Sequence, residues 1–96
     1  MPFYVVLGSW TEEGIRNVRM SPQRGEEVRK AVERAGGKVH QLLYTMGAYD
    51  FVTVLELPSD EAANQFLLHS GMQGFARTTT LKGWTATEFG HLVAKL

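Results

Sequence analysis

Phe3-Tyr4-Val5-Val6-Leu7 and Phe51-Val52-Thr53-Val54-Leu55 decide the fold, because apolar side chains occupy odd and even positions alike. Such dense β-branched and aromatic sequence favours extended chain. In the first stretch, which continues to Trp10, Phe3, Val5 and Leu7 point one way and Tyr4, Val6 and Trp10 the other. In the second, Phe51, Leu55 and Leu57 oppose Val52 and Val54. A strand with one wet face alternates apolar and polar residues, so these two are central strands of a sheet covered on both sides.

Working outward, Thr11 precedes Glu12 and Glu13 and caps a helix whose first turn is acidic. Ser21-Pro22 signals a fresh helix start, and Val28, Ala31, Val32 and Ala35 form its inward stripe up to Gly36-Gly37. With Ile15 and Val18, this is one long helical segment, bent or broken near Pro22. A second strand runs from about Lys38 to Met46 and joins the stretch at Phe51–Leu57 through the short Gly47-Ala48-Tyr49 link, making a hairpin. Pro58-Ser59 opens a helix carrying Ala62, Ala63, Phe66 and Leu67, which ends near Gly71. A fourth strand spans Phe75 to about Gly83, and Thr85-Ala86-Thr87-Glu88 is a capping box for a short terminal helix with Phe89, Leu92, Val93 and Leu96 on one side.

The order is βαββαβ plus a C-terminal helix, an α+β, ferredoxin-like pattern over residues 1–96 as a single domain. Right-handed crossovers require the antiparallel sheet order 4-1-3-2. Lys38, His40, Gln41, Arg77, Lys82 and the Thr78-Thr79-Thr80 run mark the second and fourth strands as edges. Both long helices then lie on one face. Leaving the other face wet forfeits about 1.5–3 kcal/mol per large side chain. A sheet-to-sheet dimer, burying roughly 800 Å² per partner, is the economical solution.

Ten basic and ten acidic residues cancel, so no net field draws the chain to nucleic acid or anionic lipid. Arg16, Arg19, Arg24, Arg29, Lys30 and Arg34 alternate with glutamates at helical spacing and read as a solvated face. The absence of cysteine excludes disulfides and thiolate chemistry. With no apolar run of membrane-spanning length and no leader-like N-terminus, the expectation is a cytoplasmic protein without membrane contact.

Gly47-Ala48-Tyr49-Asp50 is the sharpest motif. Together with Trp10-Thr11, Gly14-Ile15-Arg16-Asn17, Ser21-Pro22 and Thr45-Met46, it makes the chain resemble the GYD-domain family from the first strand to about Phe89. The resemblance implies a dimeric α/β barrel, in which two ferredoxin-like sheets pair across a two-fold axis. It assigns no reaction. Relatives by fold alone include cofactor-free oxygenases, isomerases, haem-handling proteins and ligand sensors.

In the motif itself, Asp50 reads as a base and Tyr49 as a substrate contact, or both belong to a tight turn with Asp50 bonded to turn amides. Arg16 and Asn17, with Trp10 and Thr11, converge on a carboxylate or phosphate, or else form a helix cap and an Arg16–Asp50 ion pair. His40 shares a strand alignment with Tyr44, as a general base or as an edge filler. Tyr4, Trp10, Tyr44, Met46 and Trp84 line an aromatic pocket or bury the second sheet face. His40, His69 and His91 lack ligand spacing, and no phosphate loop, nucleophile elbow or dinucleotide fingerprint occurs, so neither a metal nor a cofactor is expected. The catalytic candidates are therefore Asp50, Tyr49 and His40, and the ligand-binding candidates Trp10, Arg16, Asn17, Tyr44 and Tyr49. Three functions follow as expectations: a homo-oligomeric small-molecule binding or accessory protein; a cofactor-independent oxygenase or isomerase acting on a small aromatic or ketone; or a structural assembly subunit without ligand.

Overall fold

In the computed structural model, which describes Met1–Leu96, the chain runs β1 (Phe3–Trp10), α1 (Glu12–Arg16), a 3₁₀ turn (Val18–Met20), α2 (Ser21–Arg34), β2 (Lys38–Tyr44), β3 (Phe51–Glu56), α3 (Asp60–Met72), β4 (Ala76–Gly83) and α4 (Ala86–Val93). The four strands form one antiparallel sheet in the order β2-β3-β1-β4, so the two doubly apolar strands are central, as expected. Tyr4 pairs with Leu55 and Val6 with Thr53 across the central ladder.

Local chemistry places the helix starts. The Thr11 hydroxyl accepts from the Gly14 amide at 3.0 Å and donates to the Gly74 carbonyl at 2.6 Å, tying the start of α1 to the loop before β4. Gly14 is required there, since a Cβ would stand 1.8 Å from the Phe75 carbonyl oxygen. Ser59 caps α3 through the Ala62 amide, and Thr85 and Glu88 make the reciprocal capping box of α4. The segment after β1 is broken into α1, the 3₁₀ turn and α2. Ser21 departs from its expected role: it is the first helical residue of α2 (φ −57°, ψ −41°), and no side chain caps this helix.

Tyr4, Val6, Leu55 and Val39 on the sheet and Leu57 just after β3 pack with Val32 of α2 and Ala63 of α3 to form the core, flanked by Val28, Leu42, Phe66 and Leu67. A β-bulge interrupts β2 between Val39, opposite Leu55, and Gln41, opposite Val54. One extra residue reverses the side-chain parity beyond it. Val39 thus shares the helix-covered side with Leu42 and Tyr44, while His40 lies on the opposite side, stacked on Phe3 at 5.1 Å and bonded to Glu56 at 2.6 Å. The shared alignment expected for His40 and Tyr44 is undone by this bulge.

The side of the sheet away from the helices carries Phe3, Val5, Leu7, Leu43, Val52, Val54 and Leu81, none fully buried. Every residue of α4 is exposed, including Phe89, Leu92 and Val93. The molecule measures 49 Å along its longest axis. No helix is long and apolar enough to cross a membrane.

Candidate functional site

A cavity of about 300 Å³ lies between α2, α3 and the helix-covered side of the sheet. Its aromatic wall begins with strand positions. Trp10 at the end of β1 packs against Phe51 at 5.3 Å and Tyr44 at 6.3 Å, ring centre to ring centre. Phe51 starts β3 opposite Gly8, and its ring fills the space that a side chain would take there, with Cζ 1.9 Å from the site of a Cβ. Gly8 therefore makes room for Phe51 to lie against the sheet and reach Trp10.

From the other side, α2 approaches closely because Gly25 has no Cβ; one would stand 2.8 Å from the Tyr44 hydroxyl. That hydroxyl donates to the Ser21 carbonyl at 2.9 Å, and burial pushes its pKa above the ordinary value for tyrosine. Val28, Leu42 and Phe66 continue the apolar lining.

The polar part includes Ser21 and Arg24 in the first turn of α2, Glu27 and Arg34 further along it, and His69 and Ser70 near the end of α3. The Arg24 guanidinium lies over the Phe75 ring, its Cζ 3.6 Å from the ring centre. Its Nη1 and the Ser21 hydroxyl are buried without a hydrogen-bond partner, and both residues line the cavity. Arg24 takes part in none of the ion pairs of the chain. Buried polar groups are normally satisfied, so two orphans one helical turn apart distinguish this corner.

Of the residues singled out in the sequence, Trp10 and Tyr44 line the cavity. Asp50 accepts the Trp10 amide at 2.8 Å, while its own amide donates to the Gly8 carbonyl at 2.7 Å, so it extends the β1–β3 pairing past its last rung. Tyr49 lends its carbonyl to the Thr45 hydroxyl at 2.6 Å. Arg16 reaches Glu12 at 3.4 Å rather than Asp50, and Asn17 folds back onto Glu13. None of Arg16, Asn17, His40, Tyr49 and Asp50 contributes to the cavity wall. Tyr4 is turned into the core toward Asp60, Met46 is almost fully exposed, and Trp84 stands at the other end of the sheet, beside Met1 and Pro2.

Ser21, Arg24, Phe51, Phe66 and Phe75 are cavity residues that sequence reading did not select. A signal for Arg24 was available. It falls three and four residues before Glu27 and Val28 on the stripe Ser21, Arg24, Val28, Ala31, and so points inward although it belongs to an alternating charge run.

The GYD domain model matches residues 4–93. Along its whole length the chain is 32% identical to a Thermus thermophilus protein, "Glutamine synthetase and cystathionine beta-lyase binding protein", over 99% of that protein. The crystal structure of the Thermus thermophilus protein TTHA0845 superposes with a TM-score of 0.55 at 20% identity, covering 90% of this chain and 96% of that one. That likeness concerns the fold.

Proposed function

The chain belongs to the GYD-domain family, and from that premise we propose that it is a cytoplasmic accessory protein: a homo-oligomer that docks on metabolic enzymes and holds a small molecule beneath α2 and α3. The observation that carries the reading is the full-length similarity to a protein named for binding glutamine synthetase and cystathionine beta-lyase. The direct test is biolayer interferometry of the purified chain against those two enzymes from the same organism. Saturable binding to at least one is expected, and no signal at roughly 100 µM, weaker than about 5.5 kcal/mol, overturns enzyme docking.

Self-association rests on surface arithmetic. A folded monomer of 10.7 kDa exposes roughly 5,500 Å² by the usual scaling. This chain exposes 6560 Å², about 1,000 Å² more, similar to one side of a standard interface. Large apolar side chains are exposed at the open sheet face, Leu43 and Leu81, and along α4, Phe89, Leu92 and Val93. Pairing two sheets through Val5, Leu7, Val52 and Val54, with each α4 laid on the neighbouring copy, covers both surfaces. Light scattering is expected to give a dimer or a larger assembly at micromolar concentration; a monomer there removes this part of the reading.

The oxygenase or isomerase alternative draws on Tyr44, Tyr49, Asp50 and His40 as acid–base groups; of these Tyr44 alone lines the cavity, and its hydroxyl is engaged with the Ser21 carbonyl. A ligand-free assembly subunit leaves the cavity and its orphaned donors without a role.

A further inference from the structure

We propose that the cavity beneath α2 and α3 binds an aromatic carboxylate, anchored by the Arg24 guanidinium with the Ser21 hydroxyl as second donor. The inference rests on the small-molecule part of the function proposed above and names its ligand class.

A buried cationic donor without a partner is costly, and so is a buried hydroxyl. Arg24 Nη1 and Ser21 Oγ are both in that state, one helical turn apart, on the wall of the same cavity. No carboxylate of the chain pairs with Arg24. Glu27, also on the wall, forms no ion pair with Arg24. Ser21 is only 6% exposed and is not spent on capping α2, so its hydroxyl is free to face a ligand. Phe75 holds the guanidinium through a cation–π contact, Cζ 3.6 Å from the ring centre, an interaction that uses none of the N–H donors a carboxylate needs.

Charge and shape select within the anions. Arg24, Arg34 and Glu27 on the wall sum to one positive charge, with His69 counted neutral, which balances a monoanion, whereas a phosphate monoester brings a charge near −1.5 to −2 and leaves an excess. Trp10, Tyr44, Phe51 and Phe66 offer ring faces and edges to a flat apolar body. A volume of about 300 Å³ is at the small end for ligand sites and suits one or two rings.

The experiment is isothermal titration of the full chain with benzoate, 1-naphthoate and indole-3-acetate, against the matching amides and phenyl phosphate. At least one carboxylate is expected to bind, about 10- to 100-fold more tightly than its amide, the factor typical of a hydrogen bond to a charged group. Arg24→Met should remove a similar factor, Arg24→Lys less because it keeps the charge without the fork, and Ser21→Ala about threefold to tenfold. Circular dichroism and urea midpoints establish that each variant is folded; if Arg24→Met is not, the acid-to-amide ratio on the unaltered protein decides. Amides binding as tightly as acids, with Arg24→Met without effect, leave a small-molecule site but overturn the anion assignment. Preference for phenyl phosphate overturns the choice of carboxylate. Binding of none of these probes overturns the proposal and removes the small-molecule part of the function, while the enzyme-docking measurement stands apart from it.

Discussion

Gly8→Ala should destabilise this protein through a single neighbour, and removing that neighbour should reverse the sign. The three atoms nearest a Cβ at position 8 all belong to the Phe51 ring, at 1.9, 2.3 and 2.3 Å. Overlap of that size forces the ring to leave its place against β1, losing the Trp10 contact at 5.3 Å. Overpacking of this kind costs about 1–3 kcal/mol. In a Phe51→Ala background the overlap is gone, and only the intrinsic preference remains: alanine is favoured over glycine in a strand interior by about 0.5–1 kcal/mol. The coupling between the two sites is then about 1.5–4 kcal/mol, well above the few tenths seen for independent positions. Urea unfolding of the four proteins at one protein concentration measures it, the fixed concentration being needed because the proposed self-association would contribute to stability. Gly8→Ala alone should also lower Tm by several degrees, at about 4–8 °C per kcal/mol for a chain of this size. An equal cost of Gly8→Ala in both backgrounds would refute the reasoning, showing that the glycine serves backbone freedom rather than the seating of Phe51.

Other outcomes follow from the same geometry. Asp50→Ala leaves the Trp10 amide without its acceptor and should cost about 1–3 kcal/mol, whereas Asp50→Asn keeps an acceptor oxygen and should cost less; equal urea midpoints for the two variants would argue against the clamp. Tyr4 has its pKa raised from 10.0 to about 12 by burial, then by its 2.5 Å hydrogen bond to Asp60 and the charge of that group. Its folded-state value lies above the unfolded one, so its contribution is whole below pH 10 and is lost as pH rises toward 12; Tyr4→Phe should flatten the alkaline limb of a Tm-versus-pH profile. Asp60 shifts the other way, lowered by the Tyr4 and Lys82 hydrogen bonds, so its contribution is present above the ordinary carboxylate range and fades as pH falls below it; Asp60→Asn should weaken that acid dependence in the same assay. Val54→Lys, on the open sheet face and away from the core, should convert the proposed assembly to monomers in light scattering while leaving the far-ultraviolet circular dichroism intact.

Much of the architecture was legible because it is periodic. Two strands apolar on both faces, caps at Thr11, Ser59 and Thr85, and charged edge strands together lead to the observed sheet order. Strand ends differ by a residue or two: β2 stops at Tyr44 rather than Met46, because Thr45 begins the turn by donating to the Asp50 carbonyl. The candidate site was less legible. Trp10 and Tyr44 stand out in the sequence as pocket candidates, while Ser21 reads as a cap and Arg24 as part of a solvated run.

The sequence by itself determined the element order, the centrality of Phe3–Leu7 and Phe51–Leu57, and the excess of apolar surface on two sides of the sheet. Only the tertiary structure decided which aromatic residues meet. The bulge after Val39 turns Tyr44 under the helices and His40 to the opposite face, and strand alternation cannot foresee an inserted residue. Gly8 and Gly25 then let Phe51 and α2 approach closely enough to close the wall. The doubly apolar sheet thus serves two ends: one face forms the core and the cavity, and the other is left uncovered, because the helices of a single copy can cover only one.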